Sequence, residues 1–121
     1  VFLRFQISFT GGVKLANIGG TQIIDAVAGT TVTITIDATI PHTVARWTAA
    51  QTTTINISGT PVDGQELTLI VLNDGVLPRV LTLGTGLVGM GIITGVLSKR
   101  SVILFVASGG VFYEVTRSVG L

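Results

Sequence analysis

The sequence predicts an all-β fold, an antiparallel β-sandwich or barrel-like module that takes up residues 1–121 as a single domain. Three observations carry that expectation. Apolar and polar residues alternate with period two in one segment after another, Gly, Pro and Asp-Gly breakers separate these segments at short intervals, and no capped helical stripe runs for any length.

The first alternating segment is Leu3, Phe5, Ile7 and Phe9 against Arg4, Gln6 and Ser8, closed by the turn Thr10-Gly11-Gly12. Val32, Ile34 and Ile36 then alternate with Thr31, Thr33 and Thr35, and Ile55 and Ile57 with Thr54, Asn56 and Ser58. Such β-branched pairs suit strands with one dry face and one wet face. Leu67–Leu72 and Val102–Ala107 are apolar on both faces, which suits strands covered on two sides by a second sheet or a neighbouring subunit. Breakers fall at Gly59-Thr60-Pro61, Asp63-Gly64, Asp74-Gly75, Pro78 and Gly109-Gly110, at spacings that resemble hairpin connections. No long internal repeat stands out. A shift from Thr/Ile-rich to Leu/Val/Gly-rich composition near residue 60 suggests two successive sheets.

Composition narrows the function classes. Hydrophobic residues make up 47% of the chain and charged residues 11%. A chain of this length buries roughly two-thirds of its unfolded surface, so some apolar surface is expected to meet other copies of the chain or lipid. Seven Lys plus Arg against six Asp plus Glu leave a net charge of +1, with no basic field for nucleic acid. With no cysteine there is no thiolate nucleophile, disulfide framework or Cys-based zinc site. No secretory leader pattern is visible, and the opening Val1 suggests processing or a longer product.

Val80–Ser98 carries no charge and is long enough to span a bilayer, with Gly91 and Gly95 spaced as G-x-x-x-G. Its five glycines and strand-like neighbours favour a glycine-bent loop over a membrane helix. Gly84, Gly86 and Gly89 form a G-x-G-x-x-G string, but neither a following helix nor a ribose-binding acid is evident, so no nucleotide cofactor is expected. His42, the only histidine, reads as a loop residue. Asp63, Glu66 and Asp74 read as turn and surface carboxylates, with no catalytic or metal-ligating set. The chain is expected to have no enzymatic activity. Trp47, next to Arg46, would anchor a core if buried and offer a stacking platform if exposed.

From Pro61 the order of motifs becomes distinctive. Pro61-Val-Asp-Gly-Gln65 precedes an apolar strand and Asn73-Asp74-Gly75. Pro78-Arg79-Val-Leu-Thr-Leu83 follows, then Lys99-Arg100-Ser-Val-Ile-Leu-Phe-Val106, and finally Gly109-Gly110-Val-Phe-Tyr-Glu-Val115. This succession resembles a β-module near the C-termini of bacteriophage tail-fibre, head-fibre and related virion proteins, matching over about residues 30–117 and leaving 1–29 as N-terminal strands. It departs from the pattern at Val76-Leu77-Pro78-Arg79, where a Gly-Gly-Arg is common, at Gly84-Thr85-Gly86, where a Trp-Pro is common, and at Tyr113, where a Trp is frequent.

The resemblance implies a trimeric structural subunit on the particle exterior: a fibre, a spike or a capsid-decorating protein. Under it, Leu67, Leu69, Val71, Val102, Leu104 and Phe105 are the expected oligomer contacts, and Phe2, Phe5 and Phe9 the expected docking residues toward other capsid or fibre proteins. The alternative is a carbohydrate- or receptor-binding head using Arg46, Trp47, His42 and Tyr113. Neither reading needs a cofactor or nucleic acid, and a membrane association is the weakest reading.

Overall fold

A computed structural model describes residues 13–18 and 20–121. The strand expected over Leu3–Phe9, together with Phe2, Phe5 and Phe9, lies outside the described residues. The strands are β1 (Val13–Ile18), β2 (Thr21–Asp25), β3 (Thr31–Thr35), β4 (His42–Ala49), β5 (Thr53–Ser58), β6 (Glu66–Asn73), β7 (Val80–Leu83), β8 (Leu87–Val88), β9 (Ile93–Thr94), β10 (Arg100–Ser108) and β11 (Val111–Val119). The all-β expectation holds among the described residues.

The pairing differs from the antiparallel expectation. A seven-stranded sheet has the order β1-β2-β4-β6-β10-β11-β8, and a four-stranded sheet has the order β3-β5-β7-β9. Within them β2, β4 and β6 run parallel to one another, as do β3, β5 and β7. The chain therefore alternates between the two sheets, and each of β2–β3, β4–β5 and β6–β7 forms one coil of a solenoid-like body. Thr21 lies beside His42 and His42 beside Glu66, so one circuit takes 21 residues and the next 24. The coils thus repeat in space without a repeat that the sequence displays. From β2 to β10 sheet membership switches with every strand, which replaces the expected change of sheet near residue 60.

After β7 the chain reverses direction. β9 runs antiparallel to β7, β10 antiparallel to β6, and β10 turns back into β11 through Gly109 and Gly110. Both glycines have positive φ, +62° and +82°, a backbone region in which a side chain would be strained. Residues 80–98, the apolar segment of membrane-span length, make β7, β8, β9 and their turns. No helix among the described residues is long and apolar enough to cross a membrane.

One core lies between the sheets. Ile24, Ala45, Trp47, Leu67, Leu69, Val71, Ile103, Phe105 and Phe112 enter it from the seven-stranded sheet, and Val32, Ile34, Ile55, Ile57, Leu81 and Ile93 from the four-stranded one. Buried polar side chains hold the corners where the chain crosses between sheets. The Gln65 side-chain amide donates to the carbonyls of Asp37 (2.8 Å) and Ile40 (2.7 Å), while its oxygen accepts from Val62 N (3.0 Å). Asn73 does the same for the β6–β7 crossing, donating to Leu77 O (2.7 Å) and accepting from Arg79 N (2.7 Å). Thr53 donates from its hydroxyl to Gly29 O (2.9 Å), tying one coil to the next. These bonds satisfy crossing backbone groups that neither sheet can pair.

Candidate functional site

The outer face of the seven-stranded sheet is where, among the described residues, most of the exposed large apolar side chains that lie on strands are found. Side chains opposite one another in a ladder share a face, so the register reads out its rows. One row runs His42, Glu66, Val106, Tyr113 and Val88. The next runs Ile23, Val44, Thr68, Leu104 and Thr116, and a third runs Asp25, Arg46, Ile70, Val102 and Ser118. The β2–β4–β6 half mixes charged, polar and apolar residues. The β10–β11 half is open and, apart from Thr116 and Ser118, apolar: Leu104 and Val106 are each 38% exposed, Tyr113 48% and Val115 60%, and neighbouring Val88 and Met90 are also exposed.

The expected oligomer contacts divide by parity. Val102 and Leu104 point outward, whereas Leu67, Leu69, Val71 and Phe105 are enclosed in the chain's own core with at most 3% exposure. Those four are core residues here because period-two alternation sends them to the side facing the second sheet. Val106, Tyr113 and Val115 take their place on the outer surface.

The expected receptor contacts do not form one cluster. Arg46 points outward and its Nε donates to Asp25 Oδ1 at 2.5 Å. Trp47, its neighbour, points inward and is 7% exposed, so it serves the core. His42 is half-buried, its Nε2 2.9 Å from Thr68 Oγ1. Tyr113 shares the row of His42 but stands three strand spacings away, about 14 Å. An open groove of about 740 Å³ runs past Asp25, Arg46, Ile70, Leu72, Arg100 and Val102, with Trp47 in its wall. It combines an aliphatic floor with two guanidinium groups, one of them already paired.

A bulge shapes the open edge of this face. The register slips between Leu104 and Phe105, so that Phe105 faces Glu114 while Leu104 faces Thr116 and Ile103 faces Arg117. Val115 is the extra residue. Because Phe105 and Ile103 point into the core, Glu114 and Arg117 also point to that side, which three residues of unbroken strand would not allow. There Arg117 donates to Glu114 (2.6 and 2.7 Å) and to the carbonyls of Ile92 (2.9 Å) and Gly91 (3.0 Å), and Glu114 accepts from Met90 N (3.1 Å). The pair clamps the β8–β9 turn against β11. The Arg117 guanidinium holds the Glu114 carboxyl below the usual carboxylate range, and Met90 N–H adds to this. A Cβ at Gly89 would force the Glu114 carboxylate and the Leu83 side chain to shift.

Asp74 and Asp63 also have structural partners. Asp74 is bidentate to Arg79 (2.7 and 3.0 Å), which lowers its pKa, and Asp63 accepts from Gly109 N at 2.8 Å. No group of three His, Cys, Asp or Glu side chains suited to a metal ion occurs among the described residues. The Gly84–Gly89 string contains β8 and is followed by β9, not by a helix. Gly84 fits there because a Cβ would strike Asn56 and the Ile55 carbonyl at the β5–β7 contact. No protein-family model matches the sequence, and no curated protein matches it.

Proposed function

We propose that this chain is a non-enzymatic structural subunit of a bacteriophage particle, a trimeric fibre, spike or capsid-decorating protein on the particle exterior that associates through a hydrophobic β surface. The observation that carries the reading is the open apolar strip of Leu104, Val106, Tyr113 and Val115 on β10 and β11. Contiguous exposed apolar area on a folded β-domain marks a protein contact, and burying such a strip between copies contributes roughly 25 cal/mol per Å² of apolar area removed from water. The motif order after Pro61 supplies the particle context and the expected threefold state. An antiparallel barrel or sandwich is no part of the proposal, because the pairing is mixed.

The test separates the outer face from the core. Sedimentation equilibrium of the chain at micromolar concentration is expected to give a trimer, and Leu104→Asp is expected to give folded monomers with unchanged circular dichroism. A wild-type chain that sediments as a folded monomer at those concentrations would sink the proposal.

A second reading, a glycan- or receptor-binding head, draws on the groove beside Arg46 and Arg100. Its support is weaker, because Trp47 presents no exposed ring there and Tyr113 stands elsewhere on the face. Glycan binding lost in Arg100→Ala, with the trimer intact, would favour it.

A further inference from the structure

We propose that the two opposite flanks of the coil stack are the halves of one contact between copies of this chain: Val76 and Leu77 of one copy seat in a corner indentation of the next, and Arg100 of the first pairs with Glu66 of the second. The inference rests on the trimeric reading above and names the surfaces that close the ring. Strand β6 enters at Glu66 and leaves at Asn73, so the crossings 59–65 and 74–79 lie on opposite flanks, about 23 Å apart. Because β10 runs antiparallel to β6, with Arg100 beside Leu72, Lys99 and Arg100 belong to the Asn73 flank.

The two flanks expose different chemistry. On the Asn73 flank Val76, Leu77, Val96 and Leu97 are all exposed. Their two turns stand side by side, since Ser98 N–H donates to Asp74 O at 3.1 Å. On the Glu66 flank an indentation of about 310 Å³ lies between the β3–β4 and β5–β6 crossings, with Ile40, Pro41 and Val62 among its lining residues. It has room for an aliphatic side chain.

Charge divides in the same way. Among the described residues Asp25, Asp74 and Glu114 are held in ion pairs by Arg46, Arg79 and Arg117, whereas Asp63, Glu66, Lys99 and Arg100 have no oppositely charged side chain within ion-pair distance. The two unpaired carboxylates border the indentation, and the two unpaired cations border the apolar turns. One molecule thus carries both members of a complementary pair of surfaces, and only a second copy can bring them together.

A patch that fits a different patch of the same molecule makes a head-to-tail contact, which closes into a ring when the rotation allows. An axis parallel to the coil stack keeps every strand at its level. The two ends of β6 are level by construction, which sets Val76 and Leu77 against crossing 59–65 of the next copy. Arg100 on β10 then lies one strand spacing, about 4.8 Å, from the level of Glu66 on β6, an offset that a long arginine side chain spans. The outer strip of Leu104 and Val106 turns toward the axis.

The chain contains no cysteine, so an engineered pair reports cleanly. Val62→Cys with Leu77→Cys cannot link within one chain across the length of β6 and is expected, under mild oxidation, to give covalent trimers on a non-reducing gel. Either cysteine alone can join at most two chains. In sedimentation equilibrium at micromolar concentration, Glu66→Lys alone and Arg100→Glu alone are each expected to lose the trimer with unchanged circular dichroism, and the two together to regain it. A wild-type chain that sediments as a monomer would overturn both the trimeric reading and this contact. A wild-type trimer whose cysteine pair links only into dimers or not at all, or whose double charge reversal stays dissociated, would overturn this contact alone.

Discussion

Gln65 is the side chain whose removal tests the corner bonding most directly. It is 4% exposed and makes three hydrogen bonds of 2.7 to 3.0 Å to the backbone of two different crossings, residues 37–40 and residue 62. Gln65→Ala deletes all three and strands their backbone partners where the solenoid turns. At about 1 kcal/mol net per bond the loss is about 3 kcal/mol, and more if the freed carbonyls stay dry. For a domain of this size that corresponds to a fall of about 10 °C in Tm, measured by far-UV circular dichroism. Gln65→Glu sharpens the test. A carboxylate there keeps the acceptor for Val62 N–H but faces the Asp37 and Ile40 carbonyls with no proton to offer. Its pKa must rise in the folded state, so the variant binds more protons folded than unfolded, and its stability is expected to fall as pH rises above the ordinary carboxylate range. A Gln65→Ala protein melting within about 2 °C of wild type, well under the shift worked above, would refute the corner-bonding account.

Other outcomes follow from the core, the clamp and the charged surface. Leu69→Ala, at a position with no exposure, is expected to cost about 2–5 kcal/mol in denaturant unfolding, in contrast to a small effect for Thr68→Ala on the other face of the same strand. Glu114 has a lowered pKa because Arg117 stabilises its charged form, so its contribution is present above the unfolded carboxylate pKa and lost as pH falls through the folded one. Acid unfolding of Glu114→Gln, followed by fluorescence of Trp47, is therefore expected to be less steep than that of wild type. Gly89→Ala is expected to free the β8–β9 turn, seen as faster hydrogen exchange at Met90 N–H. Arg46→Ala breaks an exposed pair with Asp25 and is expected to change stability by less than about 1 kcal/mol.

The strands were legible where alternation was strict. Thr31–Thr35 and Thr53–Ser58 are β3 and β5, and their Val and Ile residues point inward as period two requires. Parity also assigns Trp47 to the same side as Thr43, Ala45 and Ala49, and it separates Phe105 from Val102 and Leu104. In β6 it could not choose a side, because Leu67, Leu69 and Val71 alternate with a face that carries the equally apolar Ile70 and Leu72 beside Thr68. Pairing direction was illegible for a physical reason. Alternation is the same in parallel and antiparallel ladders, and a short crossing between two stacked sheets uses the same Gly, Pro and Asp breakers as a hairpin. The Glu114–Arg117 clamp was hidden because it depends on a bulge, and three residues of regular strand would have put the two side chains on opposite faces. Gln65 and Asn73 stood inside recognisable turn motifs, but nothing in those motifs says that their amides would be buried.

The chain reversal after β7 has a consequence for size. Parallel coils alone could be stacked indefinitely, whereas antiparallel β9 and β10 terminate the stack after its third coil. Before that stop the body is a ruler whose graduations are strand spacings. A tandem copy of residues 42–65, one full circuit from His42 to the residue before Glu66, would move the terminating strands outward by about 4.8 Å without altering either end. Length in this architecture is thus a separate variable from the surfaces at its ends, and can change in steps of one coil.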